Sequence, residues 1–286
     1  MTMARAAALA LLCAACASGG NALGAPGSLG SRREERVLVS SFANIVAVAA
    51  SQRSVYAATP DAVAIYDRQF GAWQPPLSLR TPFVSGQIAL MAGDPVEDGV
   101  WIGLPGAVVF VRNGFDLESS AIVPGLPDDL LFDRRNPIGG AYVRSSGQWF
   151  LVSRTGSAVP VTTAMLPPPA SRLGANGLRD VLEKYPQLRS FAALLTRDAS
   201  LTSWPISSGA LVPDANEVWL GTRGGGLFKV DPLFNSSLHV PYGLLERGAG
   251  AIALAADGVI VGGLGNDAAH GGLTVASTDL QHFRWV

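Results

Sequence analysis

The chain is poor in cysteine, in histidine and in long apolar runs, and each shortage excludes something. Its 286 residues include two cysteines, Cys13 and Cys16, both near the N-terminus, so the rest of the chain can form no disulfide. It has three histidines, and none of them lies at a zinc-site spacing from Cys, Asp or Glu: His239, His270 and His282. We therefore expect no metal site and no cofactor.

Charge is also scarce. Charged residues make up 15% of the chain and the formal net charge is −1. A nucleic-acid-binding surface needs an excess of basic side chains, so we expect no nucleic-acid partner. The 48% of hydrophobic residues, together with 33 Gly and 19 Pro, is instead typical of a loop-rich all-β globular protein.

No stretch supplies the roughly 20 apolar residues that a membrane-spanning helix needs. The apolar run near the N-terminus follows Arg5 and precedes small residues, which is the layout of a secretory signal. We predict a signal peptide over residues 1–16 and a flexible tether of Gly, Ser, Ala and Pro over 17–36. The protein is then extracytoplasmic.

Cys16 leaves two alternatives for how the signal is processed. Its small neighbours resemble those of a bacterial lipoprotein signal, in which the cysteine is acylated, although Cys13 stands where such signals usually have Leu. Lipidation at Cys16 predicts a protein of the periplasm or outer membrane surface that contacts the membrane only through its lipid anchor. Ordinary cleavage after Ala17 predicts a secreted protein.

One pattern recurs five times: an apolar strand, a short turn and a second apolar strand. The copies begin at Val55, Val100, Tyr142, Val218 and Val259. Their starts differ by 45, 42, 76 and 41 residues, and the long step is one repeat plus an insertion. A repeat of about 42 residues is the length of a four-stranded propeller blade. Residues 37–286 therefore predict an all-β fold, a β-propeller with about five detectable four-stranded blades and five to seven possible.

Further strands frame each hairpin. The strands before the hairpins are rich in small residues, as expected for innermost strands crowded around an axis, and lie at 45–48, 87–90, 210–212 and 251–254. The strands after the hairpins carry aromatic residues that suit a wider outer edge, namely Trp73, Phe115, Phe283 and Trp285. Trp101 and Trp219 occupy equivalent positions, with Tyr56 in the first copy, and we predict that all three pack in the core.

The copy at 218–232, VWLGTRGGGLFKVDP, resembles the repeat of two-component-regulator propellers, which are periplasmic ligand-sensing domains attached to bacterial histidine kinases. The segment GLPDD at 125–129 is similar to the connection that leads into blades of that family. The resemblance implies a propeller fold, an extracytoplasmic setting and a sensing or binding role. Within the copy, we predict that Gly224 to Gly226 form a turn.

The insertion, at 171–199, has a helical pattern. Leu178, Val181, Leu182 and Tyr185 follow the spacing of one helix face. After Pro186, the stripe continues at Leu188, Phe191, Leu194 and Leu195. We predict two short helices that pack against the propeller, with an exposed apolar face for a partner as the alternative.

Acidic residues cluster in predicted loops, at Asp94, Glu97, Asp98, Asp128, Asp129, Asp133, Asp214 and Glu217. Paired acids could serve hydrolysis or calcium binding, but acids before a strand are also ordinary turn formers. If a ligand binds, propeller geometry favours the axial funnel. The polar residues in its predicted loops are Arg80, Asp128, Asp129, Arg223, Asn266, Asp267 and His270.

These patterns predict a non-enzymatic binding module or assembly scaffold, with an unidentified protein or small molecule as its ligand. Two alternatives remain, because fold alone does not specify function. One is a propeller enzyme, a lyase or hydrolase. The other is the sensor half of a split signalling system.

Overall fold

The structure is a computed structural model that describes residues 41–60, 62–78, 88–112, 116–175, 177–213, 215–246, 248–256, 258–264 and 272–286. All of them fall within the unit Val37–Val286. Most of these residues form β-strands and two short helices interrupt them, so the all-β prediction is confirmed.

The strands form five antiparallel sheets that follow one another along the chain. Sheet 1 contains β1 (Ala47–Ala50), β2 (Ser54–Ala58), β3 (Ala62–Asp67) and β4 (Ala72–Ser78). Sheet 2 contains β5 (Leu90–Gly93), β6 (Gly99–Leu104), β7 (Ala107–Arg112) and β8 (Asp116–Ile122). Sheet 3 contains β9 (Pro127–Asp133), β10 (Ala141–Ser145), β11 (Gln148–Val152), β12 (Ala158–Val161) and β13 (Arg172–Gly174). Sheet 4 contains β14 (Ile206–Leu211), β15 (Val218–Thr222), β16 (Leu227–Asp231) and β17 (Ser236–Val240). Sheet 5 contains β18 (Ala249–Ala255), β19 (Gly258–Gly263), β20 (Leu273–Ser277) and β21 (Phe283–Trp285).

Each sheet is a meander in which consecutive strands pair, as the five predicted hairpins require. Sheet 3 departs from the predicted four strands, because the short strand β13 pairs with the free side of β9. After β12 the chain returns to β9, the first strand of the sheet. β13 therefore pairs with the side of β9 that would otherwise be an unpaired edge.

First strands make the contacts between sheets. β1 lies against β5 on sheet 2 and against β14 on sheet 4, and β5 lies against β9 on sheet 3. The sheets therefore follow one another in space in the order 3, 2, 1, 4. Apolar side chains fill each of these three junctions. The predicted core positions of Tyr56, Trp101 and Trp219 are confirmed, since all three side chains are fully buried.

Sheet 5 does not follow the predicted arrangement. We expected residues 251–254 to be an innermost strand, but every residue of β18 is exposed. The sheet meets the others through its last strand and the turn before it: the Trp73 amide donates to the Gln281 carbonyl at 3.1 Å, and the Trp285 ring lies 5.3 Å from the ring of His239 on β17. The prediction was wrong: in the order 3, 2, 1, 4 the next first strand would lie beside β14, but β14 lies against β1 and against the helix Leu178–Lys184, and β18 does not join the row of first strands.

The two predicted helices are present as α1 (Leu178–Lys184) and α2 (Leu188–Leu195). α1 lies against β14, and Val181, Leu188 and Leu195 are buried with apolar side chains of sheet 4. Packing against the sheets is therefore confirmed. The full apolar stripe is not confirmed, because Phe191 and Leu194 are both exposed. Neighbouring residues point about 100° apart around a helix, so Leu194 and Leu195 cannot face the same surface.

Within the described ranges, no helix combines the length and the apolar character that crossing a membrane requires.

Candidate functional site

Three of the predicted loop acids lie between sheets, namely Asp94, Asp98 and Glu217. Asp94, between β5 and β6, is completely buried and accepts hydrogen bonds from the Val96 and Glu97 amides, both at 2.9 Å. The Trp101 indole donates to the same carboxylate at 2.8 Å. Arg154, from the turn after β11, forms an ion pair with it at 2.7 Å. Asp94 thus joins sheet 2 to sheet 3.

Asp98 joins sheet 2 to sheet 1. The hydroxyls of Ser51 and Ser54 donate to its two carboxylate oxygens at 2.5 and 3.1 Å. Both serines are buried, and Tyr56 on the same strand as Ser54 is buried as well. Burial, with a further contribution from the negative charge of Asp98, raises the pKa of Tyr56. This junction therefore keeps the Tyr56 phenol neutral.

Glu217 joins sheet 4 to sheet 1. Its carboxylate accepts from the Trp219 indole at 2.6 Å, and it pairs with Arg68 at 2.8 Å and Lys229 at 2.9 Å. Burial alone would raise the pKa of Glu217, but these three donors outweigh burial and lower the pKa to about 2. The carboxylate is ionised at neutral pH, and its oxygens accept from the side chains of Trp219, Arg68 and Lys229.

We call these three arrangements the inter-sheet clamps, centred on Asp94, Asp98 and Glu217. Each carboxylate accepts at least two hydrogen bonds or ion pairs from other groups of the protein, which favours a structural role for these acidic residues. In the described part of the chain, no group of three or more His, Cys, Asp or Glu residues could hold a metal ion.

Asp128 and Asp129 differ from the clamp residues because they are substantially exposed. We placed them in a loop, but both belong to β9, where Pro127 begins the strand. The prediction of a loop was wrong because β10 supplies a cross-strand partner: Arg144 lies opposite Asp129. Its guanidinium pairs with Asp128 at 2.7 Å and lies 3.8 Å from Asp129, with side-chain exposures of 41%, 53% and 38% for Arg144, Asp128 and Asp129.

Trp149 completes this group. The Arg144 guanidinium lies 5.7 Å from the centre of the Trp149 ring. The hydrogen bond from Arg144 to Asp128 raises the pKa of Arg144, so its positive charge is permanent. We call Asp128, Asp129, Arg144 and Trp149 the Asp128–Arg144 cluster. Sequence reasoning missed Arg144 and Trp149, and pairing the hairpin with the preceding strand would have found Arg144.

The loop beside the cluster is fixed by its own contacts. The hydroxyls of Ser145 and Ser146 donate to the Pro124 carbonyl at 2.5 and 3.3 Å. Gly125 has a φ of 77°, and a Cβ atom there would collide with the Ser146 hydroxyl. The positive φ favours glycine at this position. The loop is thus tied to the end of β10 by the hydrogen bonds of Ser145 and Ser146.

Arg223 is exposed and does not belong to the Asp128–Arg144 cluster. It follows β15, forms an isolated bridge with Asn44, and its amide donates to the Pro205 carbonyl at 2.9 Å. The predicted glycine turn after it is confirmed: Gly224 and Gly225 lie against the indole of Trp204, where a Cβ atom would collide. The backbone of Arg223 is thus firmly held while its side chain faces solvent.

The other predicted site residues lie outside the described residues. They are the lipidation candidate Cys16 and the funnel candidates Arg80, Asn266, Asp267 and His270.

No protein-family model and no curated protein matches the chain. Solved structures similar to it include apo AztD from Citrobacter koseri, with 11% identity, a TM-score of 0.35 and coverage of 68% of this chain and 46% of that chain. The computationally designed Ika8 protein has 14% identity, a TM-score of 0.30 and coverage of 85% of this chain and 60% of that chain. The chain thus spans less than two thirds of either structure. The resemblance to two-component-regulator propellers stays a prediction.

Proposed function

We propose that the protein is a β-propeller that acts outside the cytoplasm as a non-enzymatic binding module or assembly scaffold. The repeated four-stranded meanders, with first strands in contact from sheet to sheet, support the propeller. The signal-like N-terminus supports the location. The exposed charges of the Asp128–Arg144 cluster carry the binding role, because the carboxylates of Asp94, Asp98 and Glu217 are instead engaged by donors of the protein in the inter-sheet clamps.

The chemistry of the cluster favours a particular kind of partner group. Two carboxylates and one guanidinium leave one net negative charge, and the exposed carboxylate oxygens retain free acceptor positions. A cationic or hydrogen-bond-donating group on a protein or small molecule suits these acceptors. The charges are held in place by β9 and β10, so little conformational entropy is lost when a ligand binds.

Removing the charge of the cluster tests the proposal. Asp128→Asn with Asp129→Asn keeps the shape of both side chains, and Glu183→Gln on α1 is the matched control, since Glu183 is an exposed acid far from the cluster in sequence. Crosslinking in the intact cell, followed by mass spectrometry, should recover a partner with the wild type and the control. We expect at least a tenfold lower yield with the double variant, and equal yields would contradict the binding role of the cluster.

The same proteins distinguish the alternatives. Turnover of a glycan, lactone or peptide that stops when a chelator is added would favour a lyase or hydrolase. Specific capture of a histidine kinase would favour the sensor half of a split signalling system.

The location has its own test. Metabolic labelling with a fatty-acid analogue should mark the wild type and not Cys16→Ser, and only the wild type should sediment with membranes. A wild type that carries no label and appears in the medium would contradict lipid anchoring and would indicate ordinary secretion.

A further inference from the structure

The helical insertion contacts both ends of the row formed by sheets 3, 2, 1 and 4. Its first part is β13, which pairs with β9 of sheet 3 and places Leu173 opposite Phe132. Its second part includes α1, which lies against β14 of sheet 4. We call residues 172–195 the strap. This one segment connects sheet 3 to sheet 4 by a route that does not include sheets 2 and 1.

At sheet 3, the strap is joined to the core as well as to the edge of the sheet. Leu173 and Ala175 pack against the buried side chains that fill the junction of sheets 2 and 3, among them Phe132. Just before the strap, the Ser171 carbonyl accepts from the Arg134 amide at 2.8 Å. Backbone pairing and apolar packing together hold this end of the strap.

At sheet 4, the strap covers the face that is turned away from sheet 1. Leu188 and Leu195 of α2 are buried in the same cluster as Val218 and Leu220 of β15. Trp219, between those two strand residues, belongs instead to the core shared with sheet 1. Successive residues of a strand point to opposite faces, so the helices and sheet 1 lie on opposite faces of sheet 4. In a propeller, the next blade covers that face.

Polar contacts also hold the strap on sheet 4. The Tyr185 hydroxyl donates to Oδ1 of Asn216, just before β15, at 3.3 Å. The side-chain amide of Gln187 donates to the Pro232 carbonyl, just after β16, at 3.3 Å. The start of α2 is therefore fixed at the end of sheet 4 where β15 begins and β16 ends.

The connection between the two halves of the strap is short. β13 ends at Gly174 and α1 begins at Leu178, and a step of four residues spans at most about 14 Å. The Asp180 carboxylate accepts from the Gly177 amide at 3.0 Å, and a Cβ atom at Gly174 would lie 3.5 Å from the same carboxylate. The strand and the helix are adjacent, so sheets 3 and 4 cannot move far apart while both halves of the strap stay bound.

We propose that the strap takes the place of a blade, closes the row of sheets 3, 2, 1 and 4 into a ring, and thereby fixes the position of β9. Sheet 5 does not have this role, since its described contacts are with the outer strands β4 and β17. β9 carries Asp128 and Asp129, so the closed ring also holds the strand that bears the Asp128–Arg144 cluster. The closure does not depend on what that cluster binds.

Distances between spin labels test the closure. In the full chain with Cys13→Ser and Cys16→Ser, labelled cysteines replace Val159 on β12 and Leu238 on β17, which are exposed positions of sheets 3 and 4. Ten Gly and Ser residues inserted after Ala175 have a root-mean-square span of about 18 Å, so they lengthen the strap without removing its contacts with either sheet. We expect the distribution of distances between the two labels to become about twofold wider, as measured by pulsed electron paramagnetic resonance.

Val159 and Phe70 form the matched control pair. Phe70 is an exposed residue of the turn between β3 and β4, so this pair reports on sheets 3 and 1, which are connected through sheet 2. Lengthening the strap should leave this second distribution unchanged. Equal widening of both distributions would mean that the insertion loosens the whole fold rather than a ring, and would overturn the proposal.

Leu188→Ala tests the same closure without a change in chain length. It removes a fully buried side chain through which α2 packs on sheet 4. The Val159–Leu238 distribution should widen again and the Val159–Phe70 distribution should not, whereas Ser190→Ala, at an exposed position of α2, should change neither. If the Val159–Leu238 distribution stays narrow in both the lengthened chain and Leu188→Ala, sheets 2 and 1 hold the ends of the row by themselves and the strap closes nothing.

Discussion

Sheets 4 and 5 are formed by two copies of the same repeat, yet their strands differ in burial. In sheet 4, every residue of β15 is buried and β14 lies against β1. In sheet 5, β18 is exposed and most of β19 is only half-buried. The register of the central hairpin is the same in both, with Gly221 opposite Leu227 and Gly262 opposite Leu273. The difference therefore does not lie in the hairpin itself.

What differs is the set of side chains that reach a neighbouring sheet. Sheet 4 has Glu217, Trp219 and Lys229, which form the clamp to Arg68 of sheet 1. The positions that correspond to these three in sheet 5 hold Gly258, Ile260 and Val275. These residues can make apolar contacts, but their side chains have no polar group that could form a hydrogen bond or an ion pair with another sheet. A conserved strand pattern within the chain thus specifies a sheet, and the clamp residues specify where that sheet is placed.

The largest effect we expect comes from removing the indole at the centre of the sheet 4 clamp. Trp219→Ala deletes a fully buried ring that contacts Tyr66 at 5.2 Å between ring centres and donates to Glu217. We expect a loss of about 3–5 kcal/mol in the free energy of unfolding, measured by urea denaturation. Ile260→Ala, at the corresponding half-buried position of sheet 5, should cost less than about 2 kcal/mol. Equal losses would erase the distinction between the two sheets.

We expect the buried ion pair of a clamp to contribute more to the free energy of unfolding than an exposed ion pair does. Arg154→Met leaves the completely buried Asp94 carboxylate without its counter-charge, since the Arg154 side chain is only 9% exposed. A broken buried pair costs about 3–5 kcal/mol, and we expect the lower end because Trp101 and two amides still donate to Asp94. Arg144→Met removes an exposed pair and should cost less than about 1 kcal/mol. Urea denaturation of both variants side by side makes the comparison, and a larger loss for Arg144→Met would contradict it.

The contribution of the Glu217 clamp to the stability of the fold should depend on pH. The pKa of Glu217 is lowered to about 2 from an ordinary value of 4.5, so the folded state holds the ionised form. Its contribution is complete above pH 4.5 and disappears as the pH falls toward 2. At pH 7 we expect Glu217→Gln to be less stable than the wild type by on the order of 2 kcal/mol, and the gap should close across that window. A gap that stays constant down to pH 2 would show that the charge of Glu217 is not what stabilises the fold.

The repeat and its hairpins could be predicted from the sequence because they depend on neighbours along the chain. Alternating apolar residues and turn glycines located all five sheets, and equivalent positions identified Trp101 and Trp219 as core residues. The clamps could not be predicted in the same way: Arg154 meets Asp94 only because two sheets pack together, and nothing in the local sequence around either residue indicates the other.

The exposure of β18 could not be predicted from the sequence either. β1 has the sequence AVAA and β18 has AGAIALA, so both are made of small apolar residues. Composition predicts that such a strand should be covered, but it does not say by what. The candidate site shows the same limit, since Asp128 and Asp129 were found from the sequence while their exposure and their pairing with Arg144 depend on the register of β9 with β10.

The smallest effect concerns His239, which lies between the two compared sheets. Its ring stacks on Phe228 of sheet 4, with 4.8 Å between ring centres, and meets Trp285 of sheet 5 at 5.3 Å. Burial lowers the pKa of His239, although a hydrogen bond to the Gly225 carbonyl and the charge of Asp198 oppose the shift. The folded state therefore prefers the neutral ring, and stability should fall as the pH drops through 6.5, where the unfolded chain takes up a proton more readily.

His239→Phe keeps an aromatic ring between Phe228 and Trp285 but cannot be protonated. We expect its urea midpoint to change less than that of the wild type between pH 7.5 and 5.5, whereas His282→Gln, at an exposed position, should keep the wild-type slope. A wild-type slope in His239→Phe would place the pH-sensitive contact elsewhere. None of the three inter-sheet clamps involves a described residue of sheet 5, and the aromatic contact of His239 with Trp285 is a link to sheet 4 that a single proton can weaken.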